Sequence, residues 1–243
     1  MSNIAGNSQF NPQDAFLEIH AGNSSGMEDG RMRRIKCLLI VVLLMTAFML
    51  SQPGQAVFAA DKSGNTMTLV QNTPLLINAT EQVSFKGGTT VELDNNNWVV
   101  SGVLSIDTPL WINATSSVNF LGGSAVTFRP NGNGRVLTGV LTTSTPLSIN
   151  ATSIVWFKAH TSVTFRPNGH AVRGYLNQNT PLSVGPNSVV SFKNGTLVWF
   201  YENGCVRLGV LSARTPLAVR PNVIVWRDAG SQVQFSNDGY LVE

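Results

Sequence analysis

The sequence predicts an all-β protein made of tandem units of about 35 residues, and three observations carry that prediction. Thr-Pro-Leu recurs at Thr73, Thr108, Thr145, Thr180 and Thr215, with spacings of 35, 37, 35 and 35 residues. Within each unit apolar residues alternate with step two, the period of strands that bury one face. Between the strand runs lie segments such as Asn-Ala-Thr, Lys-Gly-Gly-Thr, Arg-Pro-Asn-Gly and Asp-Thr-Pro, which supply the Gly, Asn and Pro that tight turns require.

Counting each unit from its Thr, position 3 is Leu75, Leu110, Leu147, Leu182 and Leu217. Position 11 is Val83, Val118, Val155, Val190 and Val225, and position 13 is Phe85, Phe120, Phe157, Phe192 and then Arg227. Position 19 is Val in all five units, and position 21 is Leu93, Phe128, Phe165, Phe200 and Phe235. The two extra residues of the second unit fall in the turn Asn131-Gly132-Asn133-Gly134. Beyond that turn comes the column Val99, Val136, Ala171, Val206, Leu241, followed three residues later by Gly102, Gly139, Gly174 and Gly209.

Runs about eight residues apart leave three or four residues for each turn. The expected architecture is an elongated β-hairpin array; the alternative is a β-solenoid with each unit as one coil. Either stacks identical positions of successive units and makes a ladder of the position-13 rings. No unit has enough core to stand alone.

Ahead of the repeats, Arg31, Arg33, Arg34 and Lys36 precede the apolar run that begins at Leu38, and Val57 and Ala59 follow as a small pair. A basic flank, a short apolar core and small residues at −3 and −1 are the parts of a secretory signal peptide. The sequence therefore divides into a leader or mis-called start over residues 1–31, expected to be disordered, a signal peptide over 32–59, and a repeat domain over 60–243. The expected location is outside the cytoplasm: extracellular, cell-surface or periplasmic, with the membrane met only through the signal segment.

The net charge is only +3, and the Arg residues are scattered, which speaks against nucleic acid as a partner. Cleavage would remove Cys37 and leave Cys205 alone, so no intramolecular disulfide is expected. His160 and His170 sit in turns of one unit, too few for a zinc site. Glu92 and Asp94 alternate with Val91 and Leu93 and should project from the solvent face of one strand. No nucleophile motif or phosphate loop occurs. The expectation is no enzyme, no catalytic residue, no cofactor and no metal.

Three residues stand out as contacts. Trp156 and Trp226 occupy position 12, between buried neighbours, so both should point outward and offer a ligand or partner contact. Arg227 replaces the position-13 Phe and suits a C-terminal cap whose outer face meets water. Asn78, Asn113, Asn150 and Asn194 begin N-x-Thr sequons, open to glycosylation in a host that performs it.

The segments Phe128-Arg129-Pro130-Asn131-Gly132, Phe165-Arg166-Pro167-Asn168-Gly169 and Phe200-Tyr201-Glu202-Asn203-Gly204 each lead to a Gly and then a Leu. This pattern, over Thr66 to Glu243, resembles the F-x-x-N-G-x-x-x-x-G-x-L hairpins of exported bacterial repeat proteins in the style of MORN repeats. MORN units themselves are shorter and open with Tyr-x-Gly, which is absent here. The resemblance implies a scaffold or binding surface. The functional expectation is an exported structural or adhesive element of the cell surface or extracellular matrix that partners with itself. The alternative is a carbohydrate-binding module that holds a surface glycan on its outward Trp residues.

Overall fold

Alternating apolar residues make strands, and the short turns between them force neighbours to run antiparallel. The computed structural model describes residues 61–63, 65–130 and 133–242; the leader and signal-peptide expectations for residues 1–59 lie outside these. β1 (Asp61–Ser63) and β2 (Thr66–Thr68) come first, and each unit then adds four strands, except that the last ends on a shorter one. The first unit holds β3 (Thr73–Leu76), β4 (Gln82–Phe85), β5 (Thr90–Leu93) and β6 (Val99–Val103). The second holds β7 (Thr108–Trp111), β8 (Ser117–Phe120), β9 (Ala125–Phe128) and β10 (Val136–Val140). The third holds β11 (Thr145–Ser148), β12 (Ile154–Phe157), β13 (Ser162–Phe165) and β14 (Ala171–Tyr175). The fourth holds β15 (Thr180–Gly185), β16 (Ser188–Phe192), β17 (Leu197–Phe200) and β18 (Val206–Val210). The fifth holds β19 (Thr215–Arg220), β20 (Val223–Arg227), β21 (Gln232–Phe235) and β22 (Leu241–Val242).

Among the described residues there is no helix, and every ladder is antiparallel. The protein is thus a hairpin array and not a solenoid of parallel coils. One long sheet does not take every strand, however. Two strands of each unit enter a 12-stranded sheet in the order β1-β2-β5-β6-β9-β10-β13-β14-β17-β18-β21-β22, while β3-β4, β7-β8, β11-β12, β15-β16 and β19-β20 form separate hairpins. A single sheet with one apolar face would leave that face in water. The hairpins form a second layer over it, and the core lies between the two.

The layers are joined at each unit. Leu104, just past β6, bridges to Phe85 at the end of β4, and the same bridge recurs at Phe120–Leu141, Phe157–Leu176 and Phe192–Leu211. The Thr of each Thr-Pro-Leu fixes the approach to its hairpin: Thr73 Oγ1 donates to the Gln71 carbonyl at 2.7 Å, and the other four Thr repeat the bond at 2.8–2.9 Å. That bond gives the recurring Thr a local reason.

Val136 and Gly139 are three residues apart, so on a straight strand they would face opposite ways. Both are buried, as are the equivalent pairs in three other units. A bulge resolves the conflict: the register shifts between β10 and β9 at Val136/Thr138, and likewise between β5 and β6, β13 and β14, and β17 and β18. One extra residue turns both members of the pair inward.

The inward Gly makes room for the position-13 ring. A methyl group added at Gly174 or Gly209 would fall 2.5 Å from Cδ1 of Phe157 or Phe192, and at Gly102 2.7 Å from Cδ1 of Phe85. Where the column runs ahead of its first ring it carries Met67, which packs half-buried against the core. The rings do not form the expected ladder among themselves. Each position-13 ring meets the position-21 ring of the next unit edge to face, as in Phe85–Phe128, Phe120–Phe165, Phe157–Phe200 and Phe192–Phe235, with centroids 6.2–6.4 Å apart. Burying one such ring stabilises by about 1.5–3 kcal/mol, and the edge-to-face pair adds about 0.5–1.5 kcal/mol.

Polar ties run between units as well. The buried Arg129 donates from Nη2 to the Phe165 carbonyl at 2.9 Å, Arg166 to the Phe200 carbonyl at 2.8 Å, and the Tyr201 hydroxyl to the Phe235 carbonyl at 2.8 Å. Burial lowers the pKa of both guanidiniums, and Glu202 partly offsets this at Arg166.

Gly174→Ala should lower stability by about 1–3 kcal/mol through overpacking against Phe157, read as a lower urea midpoint. The same substitution should cost less in a Phe157→Leu background. Equal costs in both backgrounds would show that ring and glycine are not coupled.

Candidate interaction surfaces

The period-two alternation that buries positions 3, 11 and 13 also turns positions 2, 10 and 12 outward on the hairpin layer. Trp156 on β12 and Trp226 on β20 are 48% and 57% exposed, as their placement between buried neighbours requires. Trp156 pairs across its hairpin with Pro146, and Trp226 with Pro216. Position 10 adds Ile154, Val189 and Ile224 on consecutive hairpins, each 64–66% exposed. The third to fifth hairpins therefore each expose apolar side chains at the same outward positions, a feature the sequence reading of the two Trp residues did not include. The Arg214 guanidinium covers Trp226 at 4.9 Å from the ring centroid and pairs with Asp228 at 3.5 Å. Arg227 lies half-exposed at the end of β20, paired in register with Thr215.

Open clefts lie between neighbouring hairpins at two places. One, of about 440 Å³, lies between the third and fourth hairpins and is lined by Asn150, Ser153, Pro181, Ser183 and Cys205. Its counterpart one unit earlier, of about 300 Å³, is lined by Asn113, Ser116, Pro146, Ser148 and His170. Cys205 is buried immediately before β18, in a turn and not on a strand. Burial raises its pKa and so suppresses the thiolate.

Three sequon asparagines are structural. Asn113 Oδ1 accepts from the Thr115 and Ser116 backbone amides at 2.9 and 2.7 Å, while Nδ2 donates to the Asn168 carbonyl of the next unit at 3.1 Å. Asn78 and Asn150 repeat the arrangement, reaching the Asn133 and Asn203 carbonyls. Each amide lies against a turn glycine, Gly134, Gly169 or Gly204. Asn194 differs: it is exposed, and its bond is made by the backbone amide to Asn179 Oδ1.

Glu92 is exposed on β5, as expected, but Asp94 is not its neighbour on a solvent face. Asp94 closes the β5–β6 turn, accepting from the Asn96 and Trp98 amides at 2.8 and 2.9 Å. Among the described residues no three His, Cys, Asp or Glu side chains come together as a metal site would require.

The open face of the long sheet carries a second group that sequence reasoning missed. Register places Ser101, Thr127, Thr138, Thr164, Arg173, Trp199 and Leu208 side by side on successive strands from β6 to β18. Arg173 and Arg207 both lie over the Trp199 ring, at 5.3 and 5.9 Å from its centroid, and Arg207 is also 5.9 Å from the Tyr201 ring. The Trp199 Nε1 is buried without a hydrogen-bond partner.

Asn113→Ala should destabilise the protein by about 1–2 kcal/mol, because it removes the three hydrogen bonds that close one turn and tie it to the next unit. Asn194→Ala should stay within about 0.5 kcal/mol of the parent. Thermal melts of the two variants side by side check the contrast.

No protein-family model, curated protein or solved structure matches this chain.

Proposed function

We propose that this protein is an exported, non-enzymatic structural or adhesive β-repeat element of the cell surface or extracellular matrix that associates with itself. The observation that carries the reading is the exposure of Ile154, Trp156, Val189, Ile224 and Trp226 on the outer face of three successive hairpins. Large apolar side chains exposed on the same face of three successive hairpins mark that face as a candidate contact surface. The signal-like segment ahead of the repeats supports export, and repetition without a convergent polar constellation supports a scaffold role.

A second reading, a carbohydrate-binding module, draws on the same two Trp residues. Exposed indole rings offer flat apolar faces with a polar edge, and the Asn- and Ser-lined cleft bordered by the third hairpin, which also carries Trp156, offers hydrogen bonds.

Light scattering with small-angle X-ray scattering should show a molar mass that rises with protein concentration, and Trp156→Ala/Trp226→Ala should return it toward the monomer. A strict monomer at every concentration would overturn self-association. A glycan array on the parent and the double variant then decides the second reading, which stands only if binding is present and lost with the two rings.

Arg227 is proposed as a terminal cap. It stands where a ring would otherwise require the edge-to-face partner that Phe235 provides for Phe192. Deleting residues 215–243 removes Phe235 and uncovers the β18 edge that pairs with β21. The truncated protein should aggregate, and one that stays monomeric at high concentration counts against the cap.

A further inference from the structure

The open face of the long sheet, opposite the hairpin layer, gathers positive charge without neutralising it. Arg173 and Arg207 are exposed and come from strands on either side of β17. Both converge on one indole, within 6 Å of its centroid. Arg173 spends its Nε on Thr164 Oγ1 at 3.1 Å. The remaining guanidinium donors of the pair have no protein acceptor among the described residues, and neither Arg has a carboxylate partner there. Two like charges held over one ring repel each other, and an anion set between them would relieve that repulsion and accept their donors.

The occupied indole decides what kind of anion. With two guanidiniums over it, the Trp199 ring is not a bare platform for a neutral sugar or a base. Away from it runs the hydroxyl row Thr164, Thr138, Thr127 and Ser101, one residue per strand. Strands lie about 4.8 Å apart, so the hydroxyls follow one another evenly from the Arg pair to Ser101. Thr164 and Thr138 are bonded to each other at 3.2 Å, and Ser101 Oγ donates to Glu92 Oε2 at 3.2 Å. The row is cationic at one end and acidic at the other, so an acid group is met only at the Arg end. A polymer suited to that track is rich in hydroxyl groups and carries acid groups at intervals. Nucleic acid instead has a charge on every residue and bases that need open rings.

We propose that the open sheet face is a binding site for an acidic polysaccharide, with a carboxylate or sulfate held between Arg173 and Arg207 and the sugar hydroxyls on the Ser/Thr row. It deepens the adhesive reading by naming a partner, and rests on that reading only for where the partner is met.

The test is calorimetry on the full chain with oligogalacturonate as the carboxylate probe, heparin oligosaccharide as the sulfate probe, and cellohexaose and an oligothymidylate as controls. Binding of at least one acidic glycan, weakened by salt, is expected, and the probe that binds identifies the acid group. Arg173→Gln/Arg207→Gln should weaken it by about tenfold or more, as loss of hydrogen bonds to a charged group implies. Arg173→Lys/Arg207→Lys, which keeps the charge and guards against misfolding of the Gln pair, should weaken it by less. Trp156→Ala/Trp226→Ala should leave it unchanged, which separates failure of this site from failure of the self-association reading. No binding to either acidic probe, equal binding of cellohexaose, equal binding of oligothymidylate, or an unchanged affinity in the Gln pair would each overturn the proposal.

Discussion

A phenylalanine ring seated against a glycine backbone and packed edge to face with a ring of the next unit is the contact on which the other features depend. The glycine must face inward to receive the ring, so the strand that carries it must bulge. The hairpin that carries the ring must lie over the sheet, which makes two layers out of one strand pattern. Because the edge-to-face partner always belongs to the following unit, no unit completes its own core. Cooperativity between neighbours is thus written into the packing and not added by a separate interface.

Polar groups follow the same rule of reaching forward. The Asn of each Asn-Ala-Thr closes its own turn with one end of its amide and holds the next unit's turn with the other. Arg129, Arg166 and Tyr201 occupy one position in three units and differ in chemistry, yet each donates to the carbonyl of the following position-21 Phe. What that position must provide is a donor of sufficient length. Positive charge is incidental to it, and burial works against that charge at both Arg residues.

Much of this was legible in the sequence, because period-two alternation and turn residues are local signals. The repeat length, the strands, the buried columns and the outward Trp156 and Trp226 all follow from them. The second layer was not legible, since alternation says which face of a strand is buried but not what covers it. The three-residue step from Val136 to Gly139 was visible, and it is the trace of the bulge, but a strict count of two cannot interpret it. Asp94 was assigned to a strand face by that count, whereas its carboxylate closes a turn. Trp199 could be read as outward from its buried neighbours Val198 and Phe200, but its grouping with Arg173 and Arg207 could not, because the three meet across three strands from two units in a register that the bulge sets.

The forward reach of the ring pairs also gives the chain a direction in time. Phe85 waits for Phe128, 43 residues later, and Phe192 for Phe235, again 43 residues later. A chain that emerges N-terminus first therefore always carries one unfinished hairpin at its growing end, while everything behind that hairpin is already closed. The vulnerable apolar surface stays about the size of one unit however many units the array contains, so lengthening the protein by duplication adds stability without enlarging the segment at risk during synthesis.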